Sequence, residues 1–151
     1  RRPPWCGCRG GQTRRSAAGL NRMAGELNLT KMLASLDIQQ RPGRFAFVSG
    51  DWPALRSVTH ATISETEGLT LVVTVDDARS AGVPVDFEAA WLTLTVWSSL
   101  EAVGLTAAVS QVLADAGIAC NVLAGYHHDH LLVPADQADE AIRLLSSLRS
   151  V

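Results

Sequence analysis

The stretch Trp91–Pro134, WLTLTVWSSLEAVGLTAAVSQVLADAGIACNVLAGYHHDHLLVP, restricts the fold more than any other part of this 151-residue chain. Leu92, Leu94 and Val96 alternate with Trp91, Thr93, Thr95 and Trp97, the period of two that marks a pleated strand with one buried face. Ser98 or Ser99 then offers a helix cap, with Glu101 spaced as a capping-box partner for Ser98. Leu105, Val109, Val112, Leu113 and Ala116 recur at helical spacing and draw one apolar stripe. Gly117 follows, where a left-handed C-terminal residue is wanted. Cys120, Val122 and Ala124 predict a second strand, Leu131–Val133 a third, and Ala138, Ala141, Ile142, Leu145 and Leu148 a closing helix.

The order β-α-β-β-α is most of a ferredoxin-like split βαβ unit. The preceding segment repeats the plan in reduced form. Leu27–Leu29 reads as a short extended piece, Thr30 as the cap of a helix ending near Leu36, and Pro42-Gly43 as a turn. Phe45 and Phe47 lie on one side of a strand over Arg44–Ser49, which Gly50-Asp51-Trp52-Pro53 breaks. Only one helical turn fits at Ala54–Arg56 before strands at Thr59–Ser64 and Leu69–Val75 and a helix from Asp76 to Ala81. The expected architecture is therefore α+β, two ferredoxin-like units in tandem over residues 23–88 and 89–151. Neither half shows a fourth strand after its closing helix. Leu27–Leu29 and Val85–Phe87 are the candidates, exchanged between halves or between chains. Trp91 and Trp97, on one face of their strand, are expected to stack against the other unit.

Charge divides the chain unevenly. Six arginines and no acid fall within residues 1–22, whereas Met23 onward carries 7 basic and 15 acidic residues. An acidic body argues against nucleic acid as the main partner, since phosphate binding needs a basic face. Residues 1–22 lack hydrophobic periodicity and read as a disordered basic leader or a non-native extension ahead of Met23. No apolar run reaches the roughly 18 residues of a membrane span. Cys6, Cys8 and Cys120 make neither a disulfide framework nor a zinc set, so a cytoplasmic location is the expectation and no cofactor is implied. Cys120 is expected to be a small buried hydrophobe on its strand.

Glu101-Ala102-Val103-Gly104-Leu105, then Leu113-Ala114-Asp115-Ala116-Gly117-Ile118, then the polar turn Gly125-Tyr126-His127-His128-Asp129-His130 before Leu132-Val133-Pro134, resemble an ACT domain. Glu65-Thr66-Glu67-Gly68-Leu69-Thr70-Leu71 is similar to the first unit of bacterial proteins that carry two ACT-like units. The second half is also similar to ACT units of cytosolic arginine sensors. The resemblance implies a regulatory, non-catalytic protein that binds an amino acid or similar small effector at an interface between units, as a homodimer. It places the ligand against the turn from first strand to first helix, here Ser99, Glu101, Val103, Gly104 and Leu105. It also places it against the second and third strands, here Asn121, Tyr126, His128, Asp129 and His130. Glu101 and Val103 stand where the family's commonest turn has Asp and Pro, so the effector is less defined than the fold.

Elementary chemistry agrees with a zwitterion at this place. Unpaired N–H groups at a helix start suit a carboxylate. Gly104, without a Cβ, admits a ligand close to the backbone, and Asp129 or Asn121 can face an ammonium. Two competing readings stand beside this one. His128 and His130, two apart on a strand, share a face and with Asp129 form a possible metal set or metal-dependent enzyme site. A structural pairing module with no ligand is the other. Catalysis has little support: no nucleophile elbow, paired-cysteine redox motif or phosphate-binding glycine loop is present.

Overall fold

The computed structural model describes residues 25–150, so the expectations for the Arg-rich leader lie outside the described residues. The strands are β1 (Ile38–Gln40), β2 (Phe45–Ser49), β3 (Ala61–Ser64), β4 (Leu69–Thr74), β5 (Ala89–Leu94), β6 (Asn121–Ala124) and β7 (Asp129–Pro134). The helices are α1 (Leu29–Ala34), α2 (Val75–Ser80), α3 (Leu105–Asp115) and α4 (Ala138–Ser147), with a 3-10 segment at Pro53–Val58. All the strands join one sheet in the order β3-β4-β2-β5-β7-β6, with β1 also paired to β5. The tandem ferredoxin-like plan is therefore present, fused edge to edge.

Each half completes its sheet with a strand from outside itself. β1 runs antiparallel to β5 with Ile38 opposite Leu94 and Gln40 opposite Leu92. It fills the fourth-strand position of the second half. The start of β5 meets β2 at Phe45 and Ala89 and fills the same position for the first half. Exchange between halves occurs, but neither expected segment supplies it: Leu27 and Asn28 precede α1, and Val85–Phe87 is loop. α1 goes with β1. It is capped by Asn28, whose side-chain oxygen accepts from the Lys31 N–H at 3.0 Å, rather than by Thr30. Its Met32 and Leu33, with Leu36 just beyond, are buried in one core with Leu92, Leu94, Val109, Leu113, Leu131 and Leu145. At about 1.5–3 kcal/mol per buried large apolar side chain, α1 is an integral part of the second half's core.

Strand alternation sets the two faces of the sheet. Ala90, Leu92, Leu94, Leu131 and Val133 face α1, α3 and α4. Val48, Leu71 and Val73 face α2 and the 3-10 segment. Phe45, Val72, Ala89, Trp91 and Leu132 point to the opposite, helix-free side and form a separate apolar cluster there. Trp91 packs against Phe45 of the first half at 5.2 Å between ring centroids, as expected. Trp97 does not share that role, because β5 ends at Leu94; it is 49% exposed and meets His127 instead.

Candidate ligand-binding site

The segment between β5 and α3 does not form the expected capping box. α3 starts at Leu105 behind Gly104, which has φ +105°, and no side chain caps it. The Ser99 hydroxyl instead accepts from the Glu101 N–H at 3.2 Å. A non-local contact holds the serines out of the helix. Glu26 donates its N–H to Trp97 O at 2.8 Å and accepts from the Ser99 N–H at 3.2 Å, bridging in parallel to Ser98. Gly25 lies so close that a Cβ on it would fall 2.4 Å from the Ser99 nitrogen. The residues ahead of α1 thus form a strap that shapes this loop.

Between the loop, the start of α3 and the β6–β7 hairpin lies a cleft of about 140 Å³. Ser98, Ser99, Leu105 and Thr106 line one side, and Ala124, Gly125 and Asp129 line the other. The uncapped first turn of α3 brings partial positive charge to it. Asp129 brings the opposing charge. Its carboxylate is half-buried and has no hydrogen bond among the described residues, and burial raises its pKa against the opposing pull of His130 and His128. A positive helix end facing a carboxylate that lacks a partner matches the two ends of a zwitterion.

Of the residues singled out in the sequence, Ser99, Leu105 and Asp129 line the cleft. Glu101 and Val103 sit in its loop with their side chains exposed, Val103 at 82%. Gly104 plays a different part from the one expected. The space its missing Cβ leaves is occupied by Leu29, whose Cδ2 would lie 2.9 Å from such an atom. Its role is backbone conformation and room for α1. Asn121 is at the far end of β6, paired with Leu132, where its amide donates to Leu132 O at 3.4 Å; it does not reach the cleft. Tyr126 projects from the hairpin tip at 75% exposure.

The histidines do not gather around Asp129. His130 is its neighbour on β7, and adjacent strand residues point to opposite faces. His130 therefore lies on the helix-free side, with its ring 5.2 Å from Trp91 and its Nδ1 3.0 Å from the Thr93 hydroxyl. Burial holds its pKa below the usual imidazole value; His128 and Arg41 push the same way, and Asp129 opposes them. His128 precedes β7, and its Nδ1 is buried without a hydrogen-bond partner. No three potential metal ligands converge among the described residues, so the metal reading lacks a coordination set. Cys120 is half-buried one residue before β6, not on it, and burial raises its thiol pKa.

Ser98, Leu100, Thr106, Ala124 and Gly125 line the cleft without having been singled out in the sequence. Thr106 follows from helix phase once the start is placed at Leu105. Ala124 and Gly125 follow only from the hairpin register that pairs Ala124 with Asp129.

Comparison with known proteins bears on the family and the fold. One ACT-domain family model matches residues 24–90 and a second matches residues 86–147. A protein of unknown function from Vibrio cholerae, described as a possible transport protein, is 40% identical with a TM-score of 0.72, over 80% of this chain and 95% of that one. A protein from Agrobacterium tumefaciens is 19% identical with a TM-score of 0.55, over 76% of this chain and 89% of that one. The regulatory subunit of aspartate kinase from Thermus thermophilus, in a ligand-free form, shares the fold at 14% identity and TM-score 0.56, over 74% of this chain and 95% of that one. Curated proteins give no match. No described helix is long and apolar enough to cross a membrane. Two ACT-domain matches in tandem, covering most of its length, show that the chain belongs to the ACT-domain family.

Proposed function

We propose that this protein is a non-catalytic regulator whose second ACT unit binds an amino acid in the cleft between α3 and the β6–β7 hairpin. The observation that carries the reading is the pairing of an uncapped helix start at Leu105–Thr106 with the half-buried Asp129. The ligand's carboxylate would accept from the first-turn N–H groups, and its ammonium would face Asp129. Because the lining holds one carboxylate, used by the ammonium, a small neutral amino acid fits better than a basic one. That departs from what the resemblance to arginine sensors implies.

All the lining residues come from the second half, so a seam between the two halves is not where the effector sits in this reading. Leu100, itself part of the lining, and Trp97, Val103 and Tyr126 around it are all exposed. Exposed apolar groups beside a half-open cleft favour closure by a second copy, and the working assembly is a cytoplasmic homodimer with each chain divided near residue 88. Thermal-shift screening against the twenty amino acids tests the reading. Saturable stabilisation by one of them, lost in Asp129→Ala, is expected from ligand linkage. A flat response from demonstrably folded protein would sink it.

A further inference from the structure

The helix-free face carries a second cluster of polar groups that the cleft does not use. Arg41 is held at the junction of β1 and β2 by its N–H, which donates to Trp91 O at 2.8 Å. Its guanidinium lies 4.8 Å from the Trp91 ring and 6.0 Å from the Phe45 ring, a cation–π arrangement that fixes an otherwise loose side chain. His60 closes one side, with its ring 5.3 Å from Phe45 and its Nδ1 3.4 Å from the Arg41 Nη1. His130 closes another, packed on the same indole.

Charge singles this place out. The other five described arginines each pair with a carboxylate: Arg44 and Arg79 with Glu88, Arg56 with Asp51, Arg143 with Glu140 and Arg149 with Asp37. Arg41 alone among them has none, in a body where acids outnumber bases, and residues 1–24 hold no acid to offer it. Beyond the contact with His60, its N–H groups have no side-chain partner among the described residues. A guanidinium held over aromatic rings keeps its planar fork of donors ready for two oxygens.

We propose that Arg41 and His60, beside His130, hold an oxyanion, a carboxylate or a phosphate, on the helix-free face of the sheet, at a site separate from the amino-acid cleft. Arg41 supplies the permanent charge and the paired donors. His60, whose Nδ1 faces Arg41, has its Nε2 left to donate; His130, whose Nδ1 is taken by Thr93, packs beside them on the indole, and Trp91 and Phe45 form the floor.

Imidazole NMR during titration with inorganic phosphate, and separately with acetate, tests this. Saturable shifts of the His60 and His130 signals by either anion, with the hairpin-tip His127 unmoved, are expected, and affinity should fall about tenfold or more in Arg41→Gln. The stronger of the two anions identifies the ligand class. Shifts that rise linearly, move His127 equally or persist unchanged in Arg41→Gln would overturn the proposal. If circular dichroism shows that Arg41→Gln disturbs the fold, His60→Gln decides by the same criterion.

Discussion

After β2 the chain passes through Gly50, Asp51 and Trp52 into a short 3-10 segment, Pro53–Val58; after β5, at the same point of the plan, it enters the eleven-residue α3 behind Gly104. Near the first turn, Asp51 is already spent on Arg56, with contacts of 2.7 and 2.8 Å. Near the second, Asp129 has no hydrogen bond among the described residues. The first unit therefore has no long helix start at this place and the acid beside its turn is paired, whereas the second has a long helix and an acid without a hydrogen bond among the described residues. The lesson is division of labour: the first half lends β1 and the strap, and the second keeps the cleft.

Six substitutions would break or sharpen that contrast. Met32→Ala should cost about 3 kcal/mol, because Met32 is fully buried and its loss leaves a cavity. Though Met32 falls in the first unit's stretch of chain, hydrogen exchange should quicken in α3 and β7 and not in β4, whereas Leu55→Ala should do the reverse. Equal effects on both regions would mean that the cores are one. Gly104→Ala should cost about 1–2 kcal/mol in chemical denaturation, since Ala must adopt a left-handed backbone and displace Leu29. The reverse change at Ala54 in the first unit, Ala54→Gly, should cost less, because that exposed residue meets no such constraint.

Asp129→Asn should slightly stabilise the unliganded protein at neutral pH while abolishing ligand response. The sign follows from linkage. Burial raises the carboxyl above its unfolded value, so the folded state holds the proton more tightly and the ionised form costs stability as pH rises through the folded value. The difference between variant and parent melting temperatures should shrink in acid, below the unfolded carboxyl range; a gain that persists there would contradict it. Arg56→Gln should matter least, a few tenths of a kcal/mol in denaturation, because the Asp51–Arg56 pair is exposed and screened.

Strand alternation and the α3 stripe were legible because both are local. Leu105, Val109 and Leu113 are buried as their spacing predicts. β1 was not legible: Ile-Gln-Gln carries one apolar residue and no period, and its pairing with β5 lies 54 residues away in the chain. The Ser98–Glu101 capping box failed for a related reason, since the strap at Glu26 holds Ser98 and Ser99 outside the helix. The split between Asp129 and His130, by contrast, was available from strand alternation alone. Arg41 offered no local signal, because its isolation shows only when every other arginine has found its acid.

Backbone amide NMR in an equimolar mixture of the twenty amino acids tests the central claim most directly. Saturable shifts confined to residues 98–106 and 124–129, absent in Asp129→Asn, are the predicted result. Shifts at the counterpart turn of the first unit, Ser49–Trp52, or none anywhere in folded protein, would contradict it.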